Sequence, residues 1–495
     1  MFSLKRIRFR ISPVLGRLFL LGITIYMLHI TINQINRIKK IKLTEPTESK
    51  NISPNRNPEP RKTFPKDYNI LFHKTHKTGS SSIQNIMYRL ALKHNLPSIW
   101  DKTATTDLRW PIPFNMSFII NKPGTVRISS AHMKPTEDIY KAFDKNRTLF
   151  EFTILRNPFD INKSSYHYYH DKLRICYKNS TSFINFLENY QLLSRNGYLR
   201  DRIRVKPFHD PFCYNCMSHD LGYNKHFWPP KTTPFKVVED DWKIRKLGNL
   251  TLLDWEKARI KEIIDDLDKK LSLALILEHY YESLILLKDA LNLSFDDIIS
   301  FELNRVVSEN SVQMGYDISN KEEEQAIRKK FEPRIKKFQP IDSAIYDHFY
   351  QKFMVKWREY GVERMEKDVA FLKMKNLRMY KKCKVREIAP DQPNGDFSLR
   401  QIRENIPLFN IPWHPPKVKV MAMVTDVDRF ENPELYGECM FHILPEIPMG
   451  TLIRKRQIEK GVIEMTDDKK IVRKSMQDYA KAGHDFGVNI LDKII

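Results

Sequence analysis

Short apolar runs and stretches with helical spacing alternate along the middle of this chain. The runs are rich in β-branched and aromatic residues, which is typical of buried strands. Strands are predicted at 68–72, 126–130, 150–155 and 272–277. Helices are predicted at 83–94, 255–271 and 279–291, and residues 331–377 are also mostly helical in pattern. Strands that alternate with helices predict an α/β fold with a mainly parallel sheet covered by helices.

A lysine- and serine-rich turn follows the first predicted strand and leads directly into a helix. A turn of this kind offers backbone N–H groups, and the helix N-terminus adds a partial positive charge, so the layout suits a phosphate or sulfate. The nucleotide triphosphatase loop G-x-x-x-x-G-K-[ST] does not match, because here the lysine precedes the glycine. The predicted anion-binding residues are Lys77, Thr78, Gly79, Ser80, Ser81 and Ser82.

A second candidate anion site follows the predicted strand at 150–155. The strand ends at Arg156, Pro158 favours a turn there, and Ser164 lies about two helical turns further on. A guanidinium and a hydroxyl can bind one phosphate from two sides. Ligands of parallel sheets lie at the carboxyl ends of strands, where both candidate sites fall. Two anion sites match a cofactor with two separate anionic ends.

Several segments, taken in chain order, resemble the galactose-3-O-sulfotransferase family. They include His73–Ser82, Ala91–Leu96, Arg156–Tyr169, His219–Tyr223, Leu277–Leu291 and Gly361–Leu372. The resemblance runs from about Tyr68 to Cys383, with Asn157 and Ser82 standing where the family usually has aspartate and threonine. It implies a P-loop-like nucleotide sulfotransferase fold. It also implies transfer of a sulfuryl group from 3′-phosphoadenosine 5′-phosphosulfate to the 3-hydroxyl of a β-galactoside in a glycolipid or glycoprotein.

The resemblance and the motif together suggest catalytic roles. Lys77 is expected to stabilise negative charge on the leaving phosphate oxygen and to bind the cofactor. His132, at the end of the strand predicted at 126–130, is expected to be the general base, because the family has a histidine there and histidine titrates near neutrality. His73 and His76 flank the loop and are alternatives. No metal is expected, since lysine and backbone amides can stabilise the charge.

The N-terminal part predicts a membrane-anchored enzyme. We expect a cytoplasmic tail (1–13), a transmembrane signal anchor (14–33), a stem (34–66), the catalytic domain (67–383) and an extension of unknown role (384–495). Basic residues before the apolar stretch favour a cytosolic N-terminus, and a cleaved signal peptide is the alternative. The expected location is the Golgi membrane, single-pass type II, with a lumenal catalytic domain. A homodimer is also allowed.

N-glycosylation sequons support a lumenal location. They begin at Asn51, Asn115, Asn146, Asn179, Asn249 and Asn292. Asn162 also starts a sequon, but it lies in the proposed nucleotide site and is expected to be unmodified. Among five cysteines, Cys213 and Cys216 resemble half a zinc site without a second pair. A local disulfide or free thiols are therefore expected there rather than metal, and the odd total leaves at least one cysteine free or intermolecular.

The formal net charge of +23 is compatible with an anionic ligand but does not by itself indicate nucleic acid, because no nucleic-acid motif accompanies it. In the extension, a strand is predicted at 417–424 and a charged helix at 456–479. The extension is either an appended small domain or sequence joined to this reading frame by error. Two further functions stay open: a sulfotransferase for another glycan, such as one with a uronic acid, and a non-catalytic lumenal glycan-binding protein.

Overall fold

A computed structural model describes residues 63–102, 107–169, 182–188, 215–223, 252, 254–303, 321–388, 422–444 and 446–463. The predicted tail and anchor, with the stem up to residue 62, lie outside the described residues, and so do 389–421 and 464–495. No helix in the described ranges is both long enough and apolar enough to span a bilayer.

Four parallel strands form the central sheet in the order β2-β1-β3-β4. They are β1 (Tyr68–His73), β2 (Ile128–Ser129), β3 (Thr148–Leu155) and β4 (Leu273–Ile276). Each coincides with one of the predicted strands. Ile70 of β1 is in register with Ile128 on one side and Phe150 on the other. The α/β architecture with a parallel sheet is thereby confirmed.

Both faces of β1 are covered, as expected for a strand in the middle of a parallel sheet. Ile70 and Phe72 point into a large helical core, in which the rings of Phe72 and Phe152 stack at 4.8 Å. Leu71 points to the opposite face, where it packs with Leu108 and other side chains of a loop-rich layer. This alternation follows from the two-residue period of a strand, so a continuous apolar run is needed to fill both layers.

Helices surround the sheet. In the described ranges they are α1 (Ser80–Lys93), α2 (Pro158–Tyr169), α3 (Cys216–Asp220), α4 (Asp254–Lys270), α5 (Tyr280–Leu291), α6 (Lys321–Phe338), α7 (Pro340–Tyr360), α8 (Val362–Lys382), α9 (Pro433–Ile443) and α10 (Glu446–Glu459). A short helix lies at 183–188. Helices α1, α4 and α5 match the three predicted ones. The helical stretch predicted at 331–377 is divided at Pro340 and at Gly361, whose φ is +95°.

The residues after α8 pack against the rest of the fold. Strands β5 (Val385–Ile388) and β6 (Ala422–Thr425) pair antiparallel, and a disulfide joins Cys383 to Cys439 in α9. Helix α10 packs on α1, and Met440 and Ile453 share a buried cluster with Tyr88 and Trp100. The helix predicted at 456–479 overlaps α10 only at 456–459, because α10 begins at Glu446 and ends at Glu459; residues 464–479 lie outside the described residues. A proline and a glycine in the first turns of α10 lower the local helix propensity. The burial of its apolar side chains stabilises the helix in spite of this.

Candidate active site

The carboxyl ends of the strands bring the predicted site residues to one edge of the sheet. The loop with Lys77 follows β1, His132 lies just after β2 and Arg156 follows β3. The chain pairs β2 with one side of β1 and β3 with the other, so β1 is where the strand order changes direction. Open parallel sheets bind their ligands in the crevice at such a point.

Internal hydrogen bonds hold the loop between β1 and α1. The Thr75 hydroxyl donates to the carbonyl oxygen of Ile154 at 2.6 Å, which ties the loop to β3. The Ser80 hydroxyl donates to the carbonyl oxygen of Thr75 at 2.6 Å, and the hydroxyls of Thr78 and Thr75 lie 2.7 Å apart. Thr78 and Ser80 are buried. Their hydroxyl groups therefore act first to fix the shape of the loop.

The loop needs glycine at position 79. Lys77 and Gly79 both have left-handed backbone conformations, with φ of +61° and +75°. A Cβ atom on Gly79 would lie 2.7 Å from Cδ1 of Leu277. Ser81 is half-buried at the start of α1, whereas Ser82 is buried and donates to the carbonyl oxygen of Phe301 at 2.9 Å. Ser81 thus stays at the loop, while the Ser82 side chain fastens α1 to another segment.

Three cations converge on the loop. Nη1 of Arg156 donates to the carbonyl oxygen of Lys77 at 2.9 Å, and Nζ of Lys77 lies 3.6 Å from the ring centroid of Tyr168. Burial, and after it the charges of Arg156 and Lys74, lower the pKa of Lys77 to about 7. Burial also lowers the pKa of Arg156. Like charges close together in a low-dielectric environment repel one another, so a bound anion would stabilise the cluster. Ser164 is half-buried on α2.

His132 is held by a lysine. Nζ of Lys74 lies 2.8 Å from Nε2 of His132, and because an ammonium only donates, Nε2 accepts and the ring proton resides on Nδ1. Among the described residues Nδ1 has no hydrogen-bond partner. Burial, then the nearby His76 and Lys74, lower the pKa of His132 well below its ordinary value. The imidazole is therefore neutral at neutral pH.

His76 lies directly on His132, with ring centroids 3.9 Å apart, and it also contacts the Trp110 ring at 4.3 Å. Asp220 accepts from the backbone N–H of His76 at 2.7 Å and lies 3.0 Å from its Nδ1. This carboxylate places the ring proton on Nδ1 and makes Nε2 the basic nitrogen. His73 is different, because its Nε2 pairs with buried Glu151 at 2.9 Å, inside the fold. His76 and His132 thus come together at the site, while His73 does not join them.

Four residues of this region were not predicted from the sequence. They are Lys74, Asp107, Asp220 and Glu446. Burial raises the pKa of Asp107 to about 7, which makes it titrate near neutrality beside the histidines. Lys74 is a second basic residue in the same loop and could have been noticed. Asp220 lies in a segment already matched to the family, but Glu446 has no local signal at all.

His76, Cys216 and Asp220 place one ligand-type atom each within 4.8 Å of one another, and all three are buried. Three such ligands can hold zinc. Hydrogen bonds already link the group, however, since Asp220 binds His76 and lies 3.8 Å from the Cys216 thiol. Cys213 lies outside the described residues. Absence of a metal stays a prediction.

A glycine-containing loop before a helix, with cations gathered at the carboxyl ends of parallel strands, is an arrangement typical of α/β proteins that bind anions. The chain also matches the sequence model of the family "Galactose-3-O-sulfotransferase" over residues 3–239 and 247–419, and it belongs to this family. The resemblance read from the motifs is confirmed. The family match extends beyond both ends of the segment that carried the resemblance.

Individual relatives are distant. The chain is 27% identical over 322 residues to human (Homo sapiens) galactosylceramide sulfotransferase, which covers 64% of each chain. It is 26% identical over 338 residues to galactose-3-O-sulfotransferase 2 of Sus scrofa, covering 67% of this chain and 72% of the relative. The chain is 22% identical over 402 residues to galactose-3-O-sulfotransferase 3 of Bos taurus, and this match covers 80% of each chain. The match thus spans a little under two thirds of the human relative. No solved structure matches the chain.

Proposed function

We propose that this protein is a carbohydrate sulfotransferase. It would move a sulfuryl group from 3′-phosphoadenosine 5′-phosphosulfate to the 3-hydroxyl of a β-galactoside, in a glycolipid or a glycoprotein. The observation that carries the proposal is the cluster of Lys77, Arg156 and Lys74 at the glycine loop of a member of this family. The names of the relatives supply the acceptor class.

The donor set of the loop suits a phosphosulfate. Lys77 and Arg156 supply positive charge, and Gly79 lets the backbone approach an anion at the N-terminus of α1. Ser81 and Ser164 are half-buried and would add hydroxyl donors. Thr78, Ser80 and Ser82 would support these contacts by fixing the loop and the helix. The nucleotide, when bound, supplies the sulfuryl group.

Catalysis would need charge stabilisation and proton removal. Lys77, charged once an anion is beside it, would stabilise the oxygen that leaves with the nucleotide, and a preorganised donor of this kind contributes on the order of 3 kcal/mol. His132 is neutral at neutral pH, but its Nδ1 carries the ring proton and its Nε2 accepts from Lys74, so it would accept the proton of the sugar hydroxyl only once Lys74 leaves Nε2. His76, oriented by Asp220, has the geometry for the same task.

Several features support a lumenal catalytic domain on a single-pass type II Golgi anchor. The sequon asparagines 115, 146 and 292 are exposed. Asn162 is buried and its side chain donates to the carbonyl oxygen of Pro158 at 2.7 Å, which agrees with its expected lack of modification. The disulfide between Cys383 and Cys439 is of a kind that persists in oxidising compartments. A homodimer belongs to the same proposal.

Binding and transfer assays test the function. The purified protein should be retained on immobilised 3′-phosphoadenosine 5′-phosphate, and it should transfer labelled sulfate to β-galactosides in a panel that also contains glycosaminoglycans. Failure of retention would refute the enzyme proposal. Retention with sulfation of uronic-acid glycans alone would refute the acceptor class.

Single substitutions test the base. The His132→Ala variant should lose transfer and keep nucleotide retention, and activity of the wild type should persist below pH 6.5, because the lowered pKa keeps His132 neutral there. The His76→Ala variant is the matched comparison, since both rings lie in the same stack. Near-normal transfer by His132→Ala, with loss in His76→Ala, would assign the base to His76 instead.

A further inference from the structure

Helix α10 brings a carboxylate into the site from beyond the family match, which ends at residue 419. Oε2 of Glu446 lies 2.7 Å from Nζ of Lys74, and the side chains are 3% and 1% exposed. We propose that Glu446 is a positioning residue of the transfer reaction: through the Lys74 ammonium at Nε2 of His132 it fixes the ring on which His76 stacks. This inference rests on the proposed function.

The three side chains form a directed chain of hydrogen bonds. The ammonium of Lys74 donates to Glu446 and to His132, at 2.7 Å and 2.8 Å. A buried ammonium needs a counter-ion, because desolvation otherwise favours its neutral form. Glu446 provides that charge, and its place in the first turn of α10 is favoured by the helix dipole. Lys74 in turn fixes which ring nitrogen of His132 carries the proton.

The C-terminal part of α10 is also held by buried hydrogen bonds. Oε1 of Gln457 accepts from the backbone N–H of Ser98 at 3.1 Å and from Nε1 of Trp100 at 2.9 Å. Its Nε2 donates to the carbonyl oxygen of Leu96 at 2.7 Å. Met449 is fully buried in the cluster between α10 and α1. A side chain on a helix held in this way is preorganised, which is what a positioning role needs.

Other titratable groups surround this chain of hydrogen bonds. Those whose charges interact with Lys74, His132 or Glu446 are His76, Lys77, Tyr88, Asp107 and Tyr168. Of these, only Asp107 can add negative charge near neutrality, and it is half-buried. Glu446 is the carboxylate in direct contact with Lys74. If it becomes an amide, Lys74 keeps its burial but loses its paired charge, so its hold on His132 should weaken.

The Glu446→Gln variant tests the role. We expect kcat for sulfate transfer to fall at least tenfold, with KM for donor and acceptor changed less than threefold. Glu446→Asp, which keeps the carboxylate, should recover part of the lost kcat. The control is Glu459→Gln, on the same helix, where the partly exposed Glu459 pairs with Lys455 at 3.6 Å. It should behave as the wild type.

An unchanged kcat in Glu446→Gln would overturn the inference while leaving the proposed function intact. A lower melting temperature with no recovery of kcat in Glu446→Asp would also overturn it, because it would show a purely structural role. If Glu446→Gln does not fold, the decision rests on Glu446→Asp, which must show a lower kcat at a near-normal melting temperature. A wild-type protein that transfers no sulfate would instead refute the proposed function, and the role of Glu446 with it.

Discussion

Binding of the nucleotide should draw a proton onto Lys77. In the free protein its pKa is about 7, because the ammonium is buried beside two other cations. At pH 7.5 about a quarter of the lysine is therefore protonated. An anion bound against it favours the charged form and should return the pKa towards its ordinary value. The protein should then take up about 0.75 proton for each nucleotide bound.

Titration calorimetry measures this uptake directly. Binding of 3′-phosphoadenosine 5′-phosphate at pH 7.5 is followed in HEPES and in Tris, whose ionisation enthalpies differ, and the difference in observed heat gives the proton number. The ligand contributes little, since its phosphates titrate near pH 6. Affinity should also fall about 25-fold between pH 7.5 and pH 9, because the protonated fraction of Lys77 falls by that factor.

Lys77→Arg is the control, because a guanidinium stays charged throughout this pH range. That variant should bind the nucleotide with no proton uptake from position 77 and with a flatter pH dependence. The reasoning would be refuted by zero uptake in the wild type. It would equally be refuted by the same uptake in Lys77→Arg, which would assign the proton to another group.

Three further predictions concern the loop, the disulfide and metal. Gly79→Ala should lower the free energy of unfolding by about 1–2 kcal/mol and weaken nucleotide binding, because the φ of residue 79 is +75° and the new Cβ would collide with Leu277. An unchanged affinity for the nucleotide, measured by the same calorimetry, would contradict this. Replacing Cys383 and Cys439 by serine should lower the free energy of unfolding by about 4 kcal/mol, because the disulfide closes a loop with a separation of 56 residues. Denaturant unfolding measures this change, and an unchanged midpoint would show that the disulfide does not stabilise the fold. Treatment with a chelator should leave transfer unchanged, and loss of activity restored by zinc would instead assign His76, Cys216 and Asp220 to a metal.

Local features of the sequence predict the sheet and the loop. A parallel strand buried on both faces must be apolar throughout, so the runs at 68–72 and 150–155 are visible without knowledge of their neighbours. The Lys77 loop is similarly visible, because the strand, the glycine and the helix that make it are adjacent in the chain. Arg156 was predicted to bind a separate anionic end, and the structure places its guanidinium on the carbonyl oxygen of Lys77.

Contacts between distant segments were not predictable in this way. Glu446 and Lys74 are 372 residues apart, and a single acidic residue near two prolines gives no pattern that indicates a partner. Gln457 is equally unpredictable, since its four buried hydrogen bonds to residues 96, 98 and 100 form only when α10 packs on α1. The start of α10 was missed for the same reason, because packing rather than local propensity determines it.

Because Glu446 lies far along the chain, its contact with Lys74 can form only late in synthesis. Ribosomes add about 5–20 residues per second, so Glu446 is made about 20–75 s after Lys74, when the strands of the sheet can already be folding. A nascent chain that has not yet reached α10 would lack the counter-ion of Lys74. Sulfate transfer would therefore be slow until α10 has been made, and a premature stop before residue 446 would remove the positioning of Lys74 even if the nucleotide loop were formed.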